Sequence, residues 1–88
     1  MGSYSIEWKR SATREFRKLS AEARRRVLSA IERLAEDPYP AGARKLVGAD
    51  ALRLRVGDYR VIYSVLSTGL VIEIVRVGHR QGVYRQPL

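Results

Sequence analysis

The stretch Leu52-Arg53-Leu54-Arg55-Val56-Gly57-Asp58-Tyr59-Arg60-Val61-Ile62-Tyr63 decides the fold of this chain. Leu52, Leu54 and Val56 point one way from an extended backbone, and Arg53 and Arg55 point the other, which predicts a half-buried strand over 51–56. Gly57-Asp58, with glycine first, carries the signature of a two-residue type II′ hairpin loop. That loop fixes the register. Val56 pairs with Tyr59, Arg55 lies opposite Arg60 and Arg53 opposite Ile62, so three arginines share one face.

Working outward, Ser67-Thr68-Gly69 predicts the next turn, and 70–77 a strongly β-branched last strand. Pairing Leu66 with Leu70 would set Arg76 opposite Arg60, whereas a loop one residue shorter would send it to the other face; the pattern leaves both open. Upstream, residues 41–50 are expected to be a loop containing Lys45-Leu46-Val47-Gly48. At the amino end, Tyr4-Ser5-Ile6-Glu7-Trp8 alternates as a short strand does. From about Arg10 the period changes. Ala12, Phe16 and Leu19 predict a short helix ending near Leu19-Ser20. Ser20 is a plausible N-cap for a second helix with the apolar stripe Ala23, Val27, Ile31 and Leu34, ended by Asp37-Pro38 and Pro40. Trp8, Tyr59 and Tyr63 are expected to be packing aromatics. The expected fold is one α+β domain over 1–88, in the order β-α-α-β-β-β, with two helices packed on one face of an antiparallel sheet.

Composition narrows the function. Eighty-eight residues enclose a single modest core. No apolar run approaches the ~20 residues of a membrane-spanning helix, and the amino terminus lacks a secretory signal, so a cytoplasmic location without membrane contact is expected. With no cysteine and one histidine, no thiolate or multi-histidine metal centre can be built, and no metal or other cofactor is expected. The chain has 17 Lys+Arg against 9 Asp+Glu, a net charge of +8, which points to a polyanionic partner. All but Lys9, Lys18 and Lys45 of those cations are arginine, whose planar fork grips phosphate bidentately. Arg24-Arg25-Arg26 spreads over most of a helical turn and reads as solvated surface.

Like charges directly opposite on a sheet are destabilising. Arg55 facing Arg60, with Arg53 alongside, is therefore a costly arrangement unless an anion normally sits there. The segment Val77-Gly78-His79-Arg80-Gln81-Gly82-Val83-Tyr84-Arg85 adds two arginines, the histidine and a tyrosine beside the same sheet. His79 and Arg85 join the candidate nucleic-acid contacts on this ground, Lys45 of the segment just before the basic strand is a further candidate, and Arg60 and Arg80 are expected to be exposed.

Tyr-Arg-Val-Ile-Tyr at 59–63, Lys45-Leu46-x-Gly48 ahead of the basic strand, and Val-Gly-His-Arg followed by Val-Tyr resemble the RelE/ParE superfamily of toxins of toxin–antitoxin systems. The resemblance runs over essentially the whole chain. It implies a toxin that enters the ribosomal A site and cuts the bound messenger RNA, as RelE-type toxins do, with a cognate antitoxin as partner. By the same resemblance Arg53, Arg55, Arg60, Arg80 and Tyr84 form the functional set, and ParE-type relatives, which inhibit DNA gyrase, generally lack most of it. The departures are arginine at both positions that are lysine in the best-known members, and an end at Leu88 where many relatives continue into a helix.

Metal-free RNA cleavage by in-line attack of a ribose 2′-OH needs charge stabilisation at the phosphorane, a base and an acid. Arginines meet the first need. They do not act as bases at neutral pH. Tyr84, Lys45 or His79 takes the proton, or attack proceeds without a strong base. Tyr84 is equally suited to stacking on a nucleobase. A gyrase-binding toxin and a non-enzymatic RNA-binding module are the competing readings.

Overall fold

The computed structural model describes residues 3–48, 50–66 and 69–79. Its elements are β1 (Ser5–Trp8), α1 (Arg10–Arg17), α2 (Ala21–Leu34), β2 (Ala43–Lys45), β3 (Leu52–Val56), β4 (Tyr59–Leu66) and β5 (Val71–His79). The strands form one sheet in the order β1-β5-β4-β3-β2. The α+β class, the two helices and the β3–β4–β5 meander are as expected. Two particulars differ. The sheet is mixed, because β1 runs parallel to β5, with Ile6 beside Ile72 and Trp8 beside Ile74. A fifth strand, β2, occupies part of the expected 41–50 loop and pairs antiparallel with β3. Three residues are too few for alternation to declare a strand, and β2 exists through its pairing with the edge of β3.

α2 begins where an N-cap was expected: the Ser20 hydroxyl accepts the Ala23 N–H at 3.1 Å, satisfying one of the first turn's orphan donors. The helix buries Ala23, Val27, Ile31 and Leu34, the predicted stripe. Fully burying each of the last three is worth roughly 1.5–3 kcal/mol. They meet Ala12 of α1 and Leu54, Val61, Tyr63, Ile72, Ile74 and Val77 of the sheet in the main core. Beyond the helix, the Asp37 carboxylate accepts the Tyr39 N–H at 3.1 Å, a local turn that proline at 38 and 40 reinforces. Tyr63 is fully buried, and its hydroxyl donates to the Pro38 carbonyl at 2.6 Å, fastening the helix-to-strand connection to β4.

Val56 pairs with Tyr59, Arg55 with Arg60 and Arg53 with Ile62, as the hairpin loop requires. Gly57 has φ +60°, a left-handed value that glycine adopts without a Cβ clash. Of the turn expected at 67–69, only Gly69 is among the described residues. Leu66 pairs with Val71, so four residues, 67–70, separate the paired ends of β4 and β5. Tyr63 lies opposite Ile74 while Ile62 lies opposite Arg76, which leaves Val75 as the extra residue of a β-bulge. The bulge resets the alternation and puts Arg76 on the arginine side of the sheet, the side that a Leu66–Leu70 pairing would give, but opposite Ile62 and not Arg60.

Candidate nucleic-acid interface

Helices cover one side of the sheet, and the other side carries the arginines. Arg44 of β2 lies opposite Arg53 of β3, Arg53 opposite Ile62 of β4, and Ile62 opposite Arg76 of β5. One rung away, Arg55 faces Arg60, which faces Gly78. Five arginines from four adjacent strands therefore share this face, around a small apolar cluster of Ala51, Ile62 and Val75 with Leu46 packed against it.

Their environments differ. Arg44 and Arg55 are exposed and Arg53 is half-buried. Arg60, expected to be exposed, is only 9% so. Its Nη1 donates to the carbonyls of Tyr59 at 3.0 Å and Gly57 at 3.3 Å, folding the guanidinium over the hairpin. The Nε and Nη2 atoms of Arg60 make no hydrogen bond among the described residues. Arg76 is also 9% exposed; its Nη2 donates to Glu15 Oε2 at 2.9 Å and its Nε to the same oxygen at 3.1 Å. The second carboxylate oxygen of Glu15 accepts the Val77 N–H at 3.0 Å. Since β1 ends at Trp8, opposite Ile74, Glu15 of α1 takes over as partner for the edge of β5 beyond that point.

The other expected contacts fall elsewhere. Lys45 pairs with Leu52, and Leu52 with Tyr63, so the register assigns Lys45 to the helix side; its neighbour Arg44 takes the place beside Arg53. His79 pairs with Tyr59, not Arg60, and the two rings meet edge-on with centroids 5.9 Å apart, so it too belongs to the helix-side alternation. Arg80, Tyr84 and Arg85 lie outside the described residues. The Arg24–Arg26 run is less uniformly solvated than expected. Arg24 Nη1 donates to the Leu19 carbonyl at 3.0 Å, closing the end of α1. Arg25 and Arg26 line a cleft of about 650 Å³ between α2 and β3, together with Arg33 and Arg55.

Sequence reasoning missed Arg44 and the Glu15–Arg76 pair. For Arg44 the only signal was its alternation with Ala43 and Lys45 inside a segment read as loop. For Glu15 a signal existed: with Ala12, Phe16 and Leu19 it completes an i, i+3, i+4, i+7 set, which places a carboxylate on the margin of the buried stripe. Among the described residues no group of three or more His, Cys, Asp or Glu side chains gathers as a metal site would require. No described helix is long and apolar enough to cross a membrane.

The model of the family described as the ParE toxin of type II toxin–antitoxin systems matches residues 6–84, from β1 through the segment that follows β5. The chain belongs to this toxin family. Its relatives also include proteins named for RelE. The mRNA interferase toxin RelE of Escherichia coli K12 is 28% identical over 82 residues, covering 90% of this chain and 85% of that protein. The putative toxin RelE1 of Methanocaldococcus jannaschii is 27% identical over 88 residues, covering 96% and 98%. Among solved structures, the toxin–antitoxin complex RelBE2 of Mycobacterium tuberculosis superposes with a TM-score of 0.79 at 26% identity, covering 89% of this chain and 99% of that one. This ParE-family toxin is thus RelE-like in its relatives, and its arginine face sits on the fold those structures share.

Proposed function

We propose that this RelE-like toxin is an endoribonuclease that cleaves messenger RNA in the ribosomal A site and so inhibits translation, and that a cognate antitoxin neutralises it. The observation that carries the reading is the register of the hairpin, which sets Arg53 and Arg55 of β3 beside Arg60 of β4 on a sheet face without a helix over it. Relatives at this distance named mRNA interferases support the same activity.

In the proposed reaction the 2′-OH of one nucleotide attacks the adjacent phosphorus, the P–O5′ bond breaks, and a 2′,3′-cyclic phosphate and a 5′-hydroxyl form. Arg53 and Arg55 hold the flanking phosphates. Arg60, anchored through Nη1 to the hairpin carbonyls, offers its Nε and Nη2 edge to the phosphorane oxygens with no side-chain reorganisation at the moment of reaction. Preorganised donors of this kind are worth about 3 kcal/mol each. Arg80 is assigned to the leaving oxygen and Tyr84 to the attacking nucleotide, as base or as stacking platform. Lacking an evident strong base, the site depends on the ribosome to align the 2′-OH, so free RNA should be cut poorly. The antitoxin is proposed to present an acidic or amphipathic segment that covers the arginines or displaces the segment after β5. Relatives solved as toxin–antitoxin complexes support such a partner.

The test is to incubate the protein with programmed ribosomes and map the messenger ends by primer extension. Cleavage confined to A-site codons, and absent from the same RNA without ribosomes, is the expected result. Equal cleavage with and without ribosomes would refute the mechanism. Because the matching family model is the ParE one, gyrase is the second target to assay: inhibition of supercoiling without mRNA cleavage would replace the ribonuclease reading.

A further inference from the structure

The α1 side of the molecule presents a second basic surface, which the proposed ribonuclease site does not use. Arg10, Arg14 and Arg17 recur at i, i+4 and i+7, one face of a helix. All three are exposed, and among the described residues none pairs with a carboxylate. Like charges at this spacing destabilise a helix. Arg10 adds to the conflict, because it opens α1 at the positive end of its dipole, where no acidic residue or side-chain cap offsets it. The one acid of α1, Glu15, is turned away to Arg76 and Val77. Packing of Ala12 and Phe16 against the core holds the helix, and Arg14 and Arg17, in its last turn, lie at the favourable end of its dipole.

An aromatic lies in the same place. Trp8, at the end of β1, is half-buried, and the Phe16 ring meets it edge-on at 5.1 Å and 66°. Two clefts flank the indole. One, of about 480 Å³, is bounded by Trp8, Phe16 and Arg24; the other, of about 560 Å³, by Trp8, Arg10 and Arg14; Thr13 and Arg17 line both. Volumes of this size are those of small-molecule sites, roughly 300–1,000 Å³. Trp8 registers with Ile74, on the helix side of the sheet, so this surface faces away from Arg53, Arg55 and Arg60.

We propose that Trp8 and the α1 arginines bind single-stranded RNA, independently of cleavage. Arg10, Arg14 and Arg17 track successive phosphates, and an unstacked base enters the cleft against the indole. A duplex offers no free base face to stack, which favours a single strand. Thr13, whose hydroxyl donates to the Lys9 carbonyl at 3.4 Å, keeps its oxygen lone pairs for a ribose 2′-OH, which favours RNA over DNA.

Trp8 is the sole tryptophan, so its fluorescence reports on this surface alone. The full chain is titrated with a short oligouridylate whose integrity is checked on a gel. Saturable quenching is expected. The double variant Arg14→Gln/Arg17→Gln, altered only at exposed side chains, should bind at least ten-fold more weakly, and the slope of log K against log salt should fall by about 0.7 per arginine removed. Arg55→Gln, on the opposite face, should leave the quench unchanged. Loss of the quench in Arg55→Gln, or its persistence in the double variant, would overturn the proposal. Equal affinity for oligodeoxythymidylate would overturn the assignment to RNA, and equal quenching by poly-glutamate would assign the surface to acidic protein segments instead. None of these outcomes bears on cleavage by programmed ribosomes, so this inference and the proposed activity fail separately.

Discussion

Replacing Glu15 by alanine removes the carboxylate that accepts from Arg76 at 2.9 and 3.1 Å and from the Val77 N–H at 3.0 Å. Arg76 then loses the Glu15 carboxylate while only 9% exposed, and the Val77 N–H loses its acceptor. Breaking a buried pair from one side costs about 3–5 kcal/mol, whereas a surface pair is worth about 0–1 kcal/mol. Here the two side chains are 11% and 28% exposed, so water screens part of the interaction and a loss of about 2–3 kcal/mol is expected. For a domain of this size each kcal/mol shifts the midpoint by about 4–8 °C, and the melting temperature should fall by roughly 8–24 °C. Glu15→Gln keeps an oxygen for the Val77 N–H but not the charge, so it should lose about half as much. In Glu15→Ala/Arg76→Met the guanidinium no longer needs a partner, and part of the stability should return. Thermal unfolding followed by circular dichroism gives all four values. A Glu15→Ala variant melting within about 2 °C of wild type would refute the assignment of the pair as a fastening between α1 and β5.

Tyr63→Phe leaves the Pro38 carbonyl without its 2.6 Å donor and should cost about 1–2 kcal/mol by urea unfolding. Burial, then Tyr39 and Asp37, push the Tyr63 hydroxyl up from 10.0 to about 12. The unfolded chain therefore ionises first, and the stability Tyr63 confers is complete below pH 10 and is lost as pH rises toward 12. The gap between wild type and Tyr63→Phe should accordingly narrow over that window, and a constant gap would contradict it. Arg60→Ala should lower single-turnover cleavage on programmed ribosomes at least ten-fold and, because it also removes both hairpin hydrogen bonds, lower the melting temperature by several degrees; a fully active variant would remove Arg60 from the site. Arg55→Gln relieves a direct cross-strand repulsion and should stabilise the free protein by a few tenths of a kcal/mol to about 1 at low salt. That gain should shrink as salt screens the charges, and a destabilised variant would show that the repulsion is already compensated.

The parts of the fold legible in the sequence are those specified by local rules. Ser20 caps α2 and the stripe Ala23, Val27, Ile31 and Leu34 is buried, because capping and helical period act within a few residues. The Gly57-Asp58 loop fixed the pairing of Arg55 with Arg60, because a two-residue turn leaves one register. Non-local pairing was not legible. β2 has three residues and no pattern of its own, so the sequence singles out Lys45 and not Arg44 ahead of the basic strand. The bulge at Val75 rests on the agreement of two faces at once: Ile74 faces the core opposite Tyr63 while Arg76 lies opposite Ile62. No count of loop residues reveals that. The exposure expected of Arg60 failed for a related reason, since the carbonyls that hold it belong to the hairpin, and alternation assigns a side to a residue without saying what lies within reach of its side chain.

The charges of the arginine face are resolved unequally, and the inequality bears on which residues are suited to an anion. Arg76 has a carboxylate in direct contact, so a phosphate approaching it would compete with Glu15 and gain little. Arg60 has neutral carbonyls at one nitrogen, which orient the guanidinium without cancelling its charge. Arg44 and Arg55 are exposed on strands whose cross-strand neighbours are themselves arginines, so each sits in a positive field that an anion would relieve. Attraction for a polyanion should therefore be greatest along the β2–β3–β4 side of the face, around Arg44, Arg55 and Arg60, and least at Arg76. Holding the pre-aligned Arg60 at the β4 side of that field orients a donor before a substrate arrives, which is the condition under which electrostatic stabilisation contributes to rate as well as to binding.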